Sequence, residues 1–420
     1  MEPRESETFF FARQPILDRK GKIMAYELLY RAGAYNAAEP MPPHATEQVV
    51  INALNLTGLG NLLEKGTKAF INIDEKMLFN DILHTIPKSS FVFELLEHIE
   101  FTPEIIARVK ELHSYGYTFA LDDIICSREV INAVKPVLPY VEIVKLDLPQ
   151  SLENVEAYFQ LFKKMELTIL AEKVESQTDF DSLRQIGCDL FQGFFFAKPT
   201  LISGTKIDPR ATIIFRIIQL LNSNEHDEAL KIFEQDAALT VQLLRYINSA
   251  AFSFKSDIRS VRQAVALLGD SHLTQWLMLM SYAMCSKEGL NSPLLKLAQE
   301  RSNMMRLFAE HCIDENYGDT AAFAGLLSLI GALFHTPLES LLAELHIDPS
   351  ISSVLLETSD SELSDIYRLV QCVENVDHEA MQKLTEKLDL SFVEFAAIIT
   401  ESYERTEAFN QNLNALQTPD

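Results

Sequence analysis

The sequence is short of positive charge. Lys and Arg number 36 against 60 Asp and Glu, for a formal net charge of −24. Binding a nucleic-acid backbone needs a basic surface, so a polymeric nucleic-acid partner is disfavoured. Docking on an anionic membrane is disfavoured for the same reason. A small phosphate ligand is not excluded, because bound cations reverse the local field. Cysteine is scarce too: there are five, at 126, 188, 285, 312 and 372, an odd number with no Cys-x-x-Cys spacing. Reduced thiols in a cytoplasmic protein are the simple reading. None of the 10 His stands at His-x-x-x-His spacing, and no histidine metal pattern is visible. The longest apolar runs, 277–284 and 321–334, fall short of the roughly 20 residues that a membrane span requires. The acidic, polar start, Met1-Glu-Pro-Arg-Glu-Ser-Glu, is not expected to be a signal peptide. No membrane insertion is expected.

What is present begins with residues 117–123, an apolar run that stops at two adjacent acids, Asp122 and Asp123. Taken alone, that pair reads as the cap of a following helix. The rest of the first half changes the reading, because the same pattern recurs. Residues 9–17 and 23–30 form two apolar runs joined by a Gly21 turn, an expected hairpin whose second run carries Glu27. Later short runs end at Asn72, at Glu94, at Lys145 with Asp147 beyond, at Glu172 with Glu175 beyond, and at Gln192. Helical stretches are predicted over 47–64, 103–115, 152–165 and 180–186. Strand and helix alternate every 20 to 30 residues or so, the rhythm of parallel βαβ units. The count of units predicts an α/β fold of the (β/α)8, TIM-like type. In such barrels the site lies at the C-terminal strand ends. Capping accounts for one acid at a strand end, but not for four acid-bearing ends with a lysine and two amides. Hard oxygen donors without His or Cys favour Mg²⁺ or Mn²⁺ over zinc. There are carboxylates enough for two ions, and a pair about 3.5–4 Å apart suits in-line phosphodiester hydrolysis.

Residues 9–200 resemble the EAL domain, a cyclic di-GMP phosphodiesterase domain. The signature Glu-x-Leu-x-Arg stands as Glu27-Leu-Leu-Tyr-Arg31, the asparagine strand as Phe70-Ile-Asn72-Ile, and Glu-x-x-Glu as Glu94-Leu-Leu-Glu97. The paired aspartates are Asp122-Asp123, Lys-x-Asp is Lys145-Leu-Asp147, and Glu-x-Val-Glu is Glu172-Lys-Val-Glu175. Gln192-Gly193 and Pro199 match the closing elements. The resemblance implies that Glu27, Asn72, Glu94, Asp122, Asp123 and Glu172 hold two Mg²⁺ or Mn²⁺ ions, with Ca²⁺ inhibitory. It implies that Lys145 orients the water, with Glu172 also counted as catalytic. Glu175 would brace the loop after the aspartates, and Gln14, Arg31 and Gln192 would contact the dinucleotide. The product would be linear pGpG. One departure stands out. The family's Phe-Gly-Thr-Gly-Tyr-Ser-Ser loop is replaced by Ile124-Ile-Cys-Ser-Arg-Glu-Val130, without the glycines that let it turn. Ser127 is the nearest substitute hydroxyl for Glu175. A shift of a catalytic group by about 1 Å can cost on the order of 10²-fold in rate.

The breaker-containing stretch 202–209 sets the expected boundary, giving domains 1–205 and 206–420. Beyond it the strand signals stop, and helices are predicted over 212–222, 238–247, 260–269, 273–284, 294–312, 321–334 and 338–344. His335 reads as a helix-end group, and the tail after Asn410 as frayed. This half resembles the HDOD domain, an all-α relative of the HD phosphohydrolases, through residues 236–252 and 260–269. Where an active relative carries His-Asp before Ile-Gly, this chain has Leu327-Ser328-Leu329-Ile330-Gly331. The resemblance therefore implies a helical domain without a metal site, which contacts a protein partner. The pair resembles a bacterial EAL–HDOD signalling protein, linked by its family to motility and biofilm control, with a homodimer possible. Two other readings remain open: a cyclic di-GMP receptor that signals through the HDOD half, and a scaffold indifferent to nucleotide.

Overall fold

The computed structural model describes residues 9–32, 66–147, 155–197, 209–248, 258–286 and 289–415. The helix expected over 47–64 and most of the 202–209 joint lie outside the described residues. The chain divides into two compact units, Met1–Lys198 and Pro199–Asp420.

The first unit is a closed barrel of eight strands in sequential order. They are β1 (Phe9–Asp18), β2 (Ile23–Ala32), β3 (Lys68–Ile73), β4 (Phe91–Leu95), β5 (Phe119–Ile124), β6 (Ile143–Leu146), β7 (Thr168–Ala171) and β8 (Leu190–Gln192). Strand β1 runs antiparallel to both its neighbours, β2 and β8, while every other pair is parallel. The expected β1–β2 hairpin forms. Asp18 Oδ1 accepts from the amides of Lys20 and Lys22, and Gly21 supplies the left-handed residue at φ 80°.

Side chains of a strand alternate between its faces, and the barrel uses this consistently. Ile16, Ala25, Phe70, Val92, Ala120, Ile143 and Leu170, with Leu190 packed against them, fill the interior with one residue from each strand. The opposite faces meet the surrounding helices in a larger apolar shell that includes Ile71, Phe93, Leu121, Val144 and Ile169. The helices start where the sequence places cap residues. Thr102 caps Pro103–Ser114, Ser127 caps Arg128–Val134, and Ser176 caps Gln177–Ile186, each hydroxyl accepting an amide of the first turn. After β8, Gly193 sits at φ 142° against the backbone of Val174, where a Cβ would collide with the carbonyl oxygen and amide nitrogen. That contact holds the β8 exit against the loop after β7.

The second unit is all helix among its described residues. At its centre, Pro293–Cys312 is buried along most of its length and packs against Gly318–Leu327, Glu362–Asn375 and Phe392–Ala415. The helix capped by Ser260 does not stop at Gly269. The chain kinks there (φ 71°, ψ 166°) and continues as helix to Cys285. The run 321–334 is broken at Ser328–Leu329 into Gly318–Leu327 and Ile330–Phe334. With its leading residues, Glu315–Phe334 is long and apolar enough to cross a membrane, contrary to the expectation from length, but 67% of its apolar window is buried inside the protein. Such burial marks a core element. His335 ends the second piece in the left-handed conformation, at φ 51°. The last helix runs on to Ala415 instead of fraying after Asn410. It stays ordered because Tyr403, Thr406, Glu407 and Asn410 are buried in the unit.

Candidate active site

Two residues beyond each interior apolar residue, towards the C-terminal rim, stands a polar one. Ala25 is followed by Glu27, Phe70 by Asn72, Val92 by Glu94, Ala120 by Asp122, Ile143 by Lys145, Leu170 by Glu172, and Leu190 by Gln192. In antiparallel β1 the same step runs backwards, from Ile16 to Gln14, which lies opposite Glu27 in register. The period-two pleat thus lifts one polar layer directly above the apolar one.

Lys145 is the centre of that layer. It is 1% exposed, and its Nζ lies 2.6 Å from Asp122 Oδ1, 2.7 Å from Glu94 Oε1, and 3.1 Å from both Glu27 Oε2 and Glu172 Oε1. Asn72 donates to Glu27 Oε1 at 3.3 Å. The Gln192 amide donates to Glu27 Oε2 at 2.6 Å and to Gln14 Oε1 at 2.9 Å. Burial opposes charge on Lys145, but Glu94, Glu27, Glu172 and Asp122 outweigh it and hold the ammonium well above the usual lysine range. Burial pushes Glu94 well above the usual carboxylate range, with Glu27 adding to the shift. Burial likewise raises Asp122, and it raises Glu172 to about 7, both against the pull of Lys145. Four carboxylates around one ammonium are more negative charge than a dry site tolerates, and without cations the layer holds it down by binding protons.

Adjacent residues of a regular strand face opposite ways, so Asp122 and Asp123 should not meet. The pairing of β5 with β6 slips between Leu121 and Ile124, and Asp123 takes a left-handed φ of 46°. This bulge re-aims the second carboxylate. Oxygens of Glu97, Asp122 and Asp123 then lie within 4.8 Å of one another. Glu97 was not among the expected ligands. Its signal was the second acid of Glu94-x-x-Glu97, one turn of chain past β4. Beside this group Lys173, also left-handed at φ 54°, donates to Asp147 Oδ2 at 2.6 Å and lies 3.9 Å from Asp123 Oδ1. Its hydrogen bond to the Asp147 carboxylate raises Lys173 above the usual lysine range. A left-handed backbone costs a non-glycine residue roughly 1–2 kcal/mol, so two such residues, at the ends of β5 and β7, mark a constrained rim.

Glu175 is exposed in the loop after β7. Ser127, the expected substitute for its usual partners, accepts the Val130 amide as a helix cap at 3.2 Å. The side chain of Arg31 is not among those described.

The donors fit a hard divalent cation. They are oxygens, and Glu94 Oε2, Glu172 Oε2 and Asn72 Oδ1 are buried without a hydrogen-bond partner. Buried carboxylate oxygens left this way are costly unless a cation faces them.

In the helical unit, the place of the missing His-Asp is taken by other groups. Ser328 Oγ accepts from Arg301 at 2.8 Å, and Arg301 forks onto Glu374 at 2.8 and 2.6 Å. The chain's His-Asp dipeptide, His226-Asp227, instead opens the helix His226–Gln235, with the histidine 3.4 Å from Asp270.

Comparison with known proteins agrees with this division. The EAL domain model matches residues 2–199, and the HDOD domain model matches residues 208–340. The cyclic di-GMP phosphodiesterase CdgJ of Vibrio cholerae is 30% identical over 421 residues, covering 97% of this chain and 94% of its own. The uncharacterized protein YuxH of Bacillus subtilis is 30% identical over 390 residues, covering 90% and 94%. Among solved structures, the EAL domain of FimX from Pseudomonas aeruginosa, bound to c-di-GMP, aligns at 21% identity over 46% of this chain and 90% of its own, with a TM-score of 0.36. Bacillus subtilis YkuI, in complex with c-di-GMP and calcium, aligns at 18% identity over 62% and 73%, also at 0.36. Matched by one family model in each half, and aligned over more than nine-tenths of two relatives, the chain belongs to the EAL–HDOD family.

Proposed function

We propose that the barrel hydrolyses cyclic di-GMP to linear pGpG with two divalent cations, Mg²⁺ or Mn²⁺, at its rim. The observation that carries this reading is the polar layer itself: carboxylates from β2, β4, β5 and β7 surround Lys145 of β6, and buried carboxylate oxygens are left without a hydrogen-bond partner. The name of the Vibrio cholerae relative supports the same substrate. Glu27, Asn72, Glu94, Asp122, Asp123 and Glu172 are the ligands, and Glu97 joins them through its place beside the aspartates. Bound cations would supply the positive charge that acidifies water and steadies the leaving oxygen of an in-line displacement.

The chain's own groups do the rest. Water adds to phosphorus, the P–O3′ bond breaks with its electron pair leaving on O3′, and O3′ takes up a proton from solvent. Glu172, held by Lys145, takes the proton of the attacking water. Lys145 holds the Glu172 and Asp122 carboxylates in place by its ion pairs and sets the orientation of the water between them. Gln192 fixes Glu27 and Gln14, and Gln14 with Arg31 presents polar groups to the dinucleotide. The helical unit serves as a contact surface for a protein partner, its hydrolase position filled by Arg301, Glu374 and Ser328.

A second reading is a cyclic di-GMP receptor without turnover. The segment after Asp123 favours it: Ile124–Val130 replaces the family's glycine-containing loop, and Ile125 is 54% exposed at the rim. Incubation of the full chain with cyclic di-GMP and Mn²⁺, followed by chromatography, separates the two. Linear product that disappears in Glu27→Ala supports hydrolysis. Binding in a parallel isotherm without product supports the receptor, and neither result leaves a scaffold.

A further inference from the structure

The rim carries a second lysine in a role parallel to that of the first. Inside the barrel, Lys145 faces the buried acids. Outside, Lys173 faces the exposed ones, and it reaches them from the end of β7 while the acids come from the ends of β5 and β6. Its Nζ binds Asp147 at 2.6 Å and stands 3.9 Å from Asp123. Asp123 belongs to the oxygen cluster with Glu97 and Asp122. Both Lys173 and Asp123 hold a left-handed backbone, at the ends of β7 and β5 on either side of β6. The Lys173 side chain is 63% exposed, and its ion-pair partners among the described residues are these two carboxylates, Asp147 and Asp123.

We infer that Lys173 competes with a divalent cation at Asp123, so that the outer cation group fills at a higher cation concentration than its own oxygens would set. This rests on the proposed metal chemistry and deepens it. The group concerned is Glu97, Asp122 and Asp123, where a positive charge already stands within 4 Å of one donor. A cation arriving there meets repulsion from Lys173 and finds part of the Asp123 charge already balanced. Because the pair is exposed, the effect is modest and shrinks with salt. It sets the cation concentration at which this group fills.

The test is a Mn²⁺ titration of the full chain without nucleotide, followed by electron paramagnetic resonance of free Mn²⁺. The proteins are the wild type, Lys173→Met and Lys173→Arg. The expected result is that in Lys173→Met one class of Mn²⁺ site tightens by roughly three- to tenfold while any other class is unchanged, and that Lys173→Arg restores the wild-type curve. The gain should shrink at high salt. Circular dichroism checks that each variant folds. Mn²⁺ binding that is the same with and without Lys173 overturns this inference and leaves the metal reading intact. Absence of Mn²⁺ binding in all three proteins overturns both. If Lys173→Met leaves the cation sites alone but weakens cyclic di-GMP binding, the lysine is a phosphate contact and the inference fails.

Discussion

At the scale of single residues, the chemistry is concentrated on Lys145. A buried ammonium with four carboxylates around it cannot be removed without leaving those charges unpaired. Lys145→Met should therefore destabilise the metal-free barrel by about 3–5 kcal/mol in urea denaturation, and saturating Mn²⁺ should recover part of that loss. Glu172 makes a second prediction. Its folded pKa of about 7 lies above its ordinary value of 4.5, so the folded state binds the proton more tightly than the unfolded state does. Stability from this group is fully present below about pH 4.5 and is lost as pH rises to about 7, by roughly 3 kcal/mol for a shift of this size. Glu94 and Asp122 shift in the same direction. The thermal midpoint of the metal-free protein should fall across that window, and Mn²⁺ should flatten the fall. A flat metal-free profile would count against the buried-acid layer. These residues were readable in sequence because each stands two places past an apolar strand residue. Glu97 and Lys173 were not, because they lie beyond the strand ends. Nor can local preference announce the left-handed backbones of Asp123 and Lys173, which the surrounding fold imposes.

At the scale of elements, the strands announced themselves through short apolar runs closed by a polar residue, and the helices through the spacing of their apolar residues. The errors arose where tertiary packing overrides local signals. Gly269 reads as a helix end, yet helix resumes directly after it because residues such as Leu273, Trp276 and Leu277 are buried. The run 321–334 reads as one helix, and its break at Ser328–Leu329 coincides with the Arg301 and Glu374 network. That network ties Pro293–Cys312 to Glu362–Asn375 through a charge pair about nine-tenths buried on each side. Glu374→Leu alone should cost about 3–5 kcal/mol, since it strands a buried guanidinium, whereas Arg301→Met with Glu374→Leu should cost clearly less. Guanidinium denaturation of the two variants decides this. Gly193→Ala tests the barrel in the same way. Its Cβ would collide with the Val174 backbone, so the variant should lose 1 kcal/mol or more, of the order reported for strained backbone positions.

At the scale of the whole chain, two cores share one polypeptide, and the single Trp belongs to only one of them. Trp276 is buried beside Phe233 and Tyr246 in the helical unit. Its fluorescence therefore follows that unit, while Mn²⁺ acts on the barrel. Mn²⁺ should raise the barrel's melting transition, seen by circular dichroism, and leave the tryptophan transition in place; a common shift would show that the units unfold together. The reversed direction of β1 has a practical consequence as well. In an all-parallel barrel the polypeptide would enter from the floor. Here Phe9 pairs with Ala32 at the end of β2, so anything spliced ahead of residue 9 departs beside the acids. A polyhistidine purification handle placed there would dangle imidazoles over the mouth and soak up the very manganese being titrated, which argues for cleaving such a handle away.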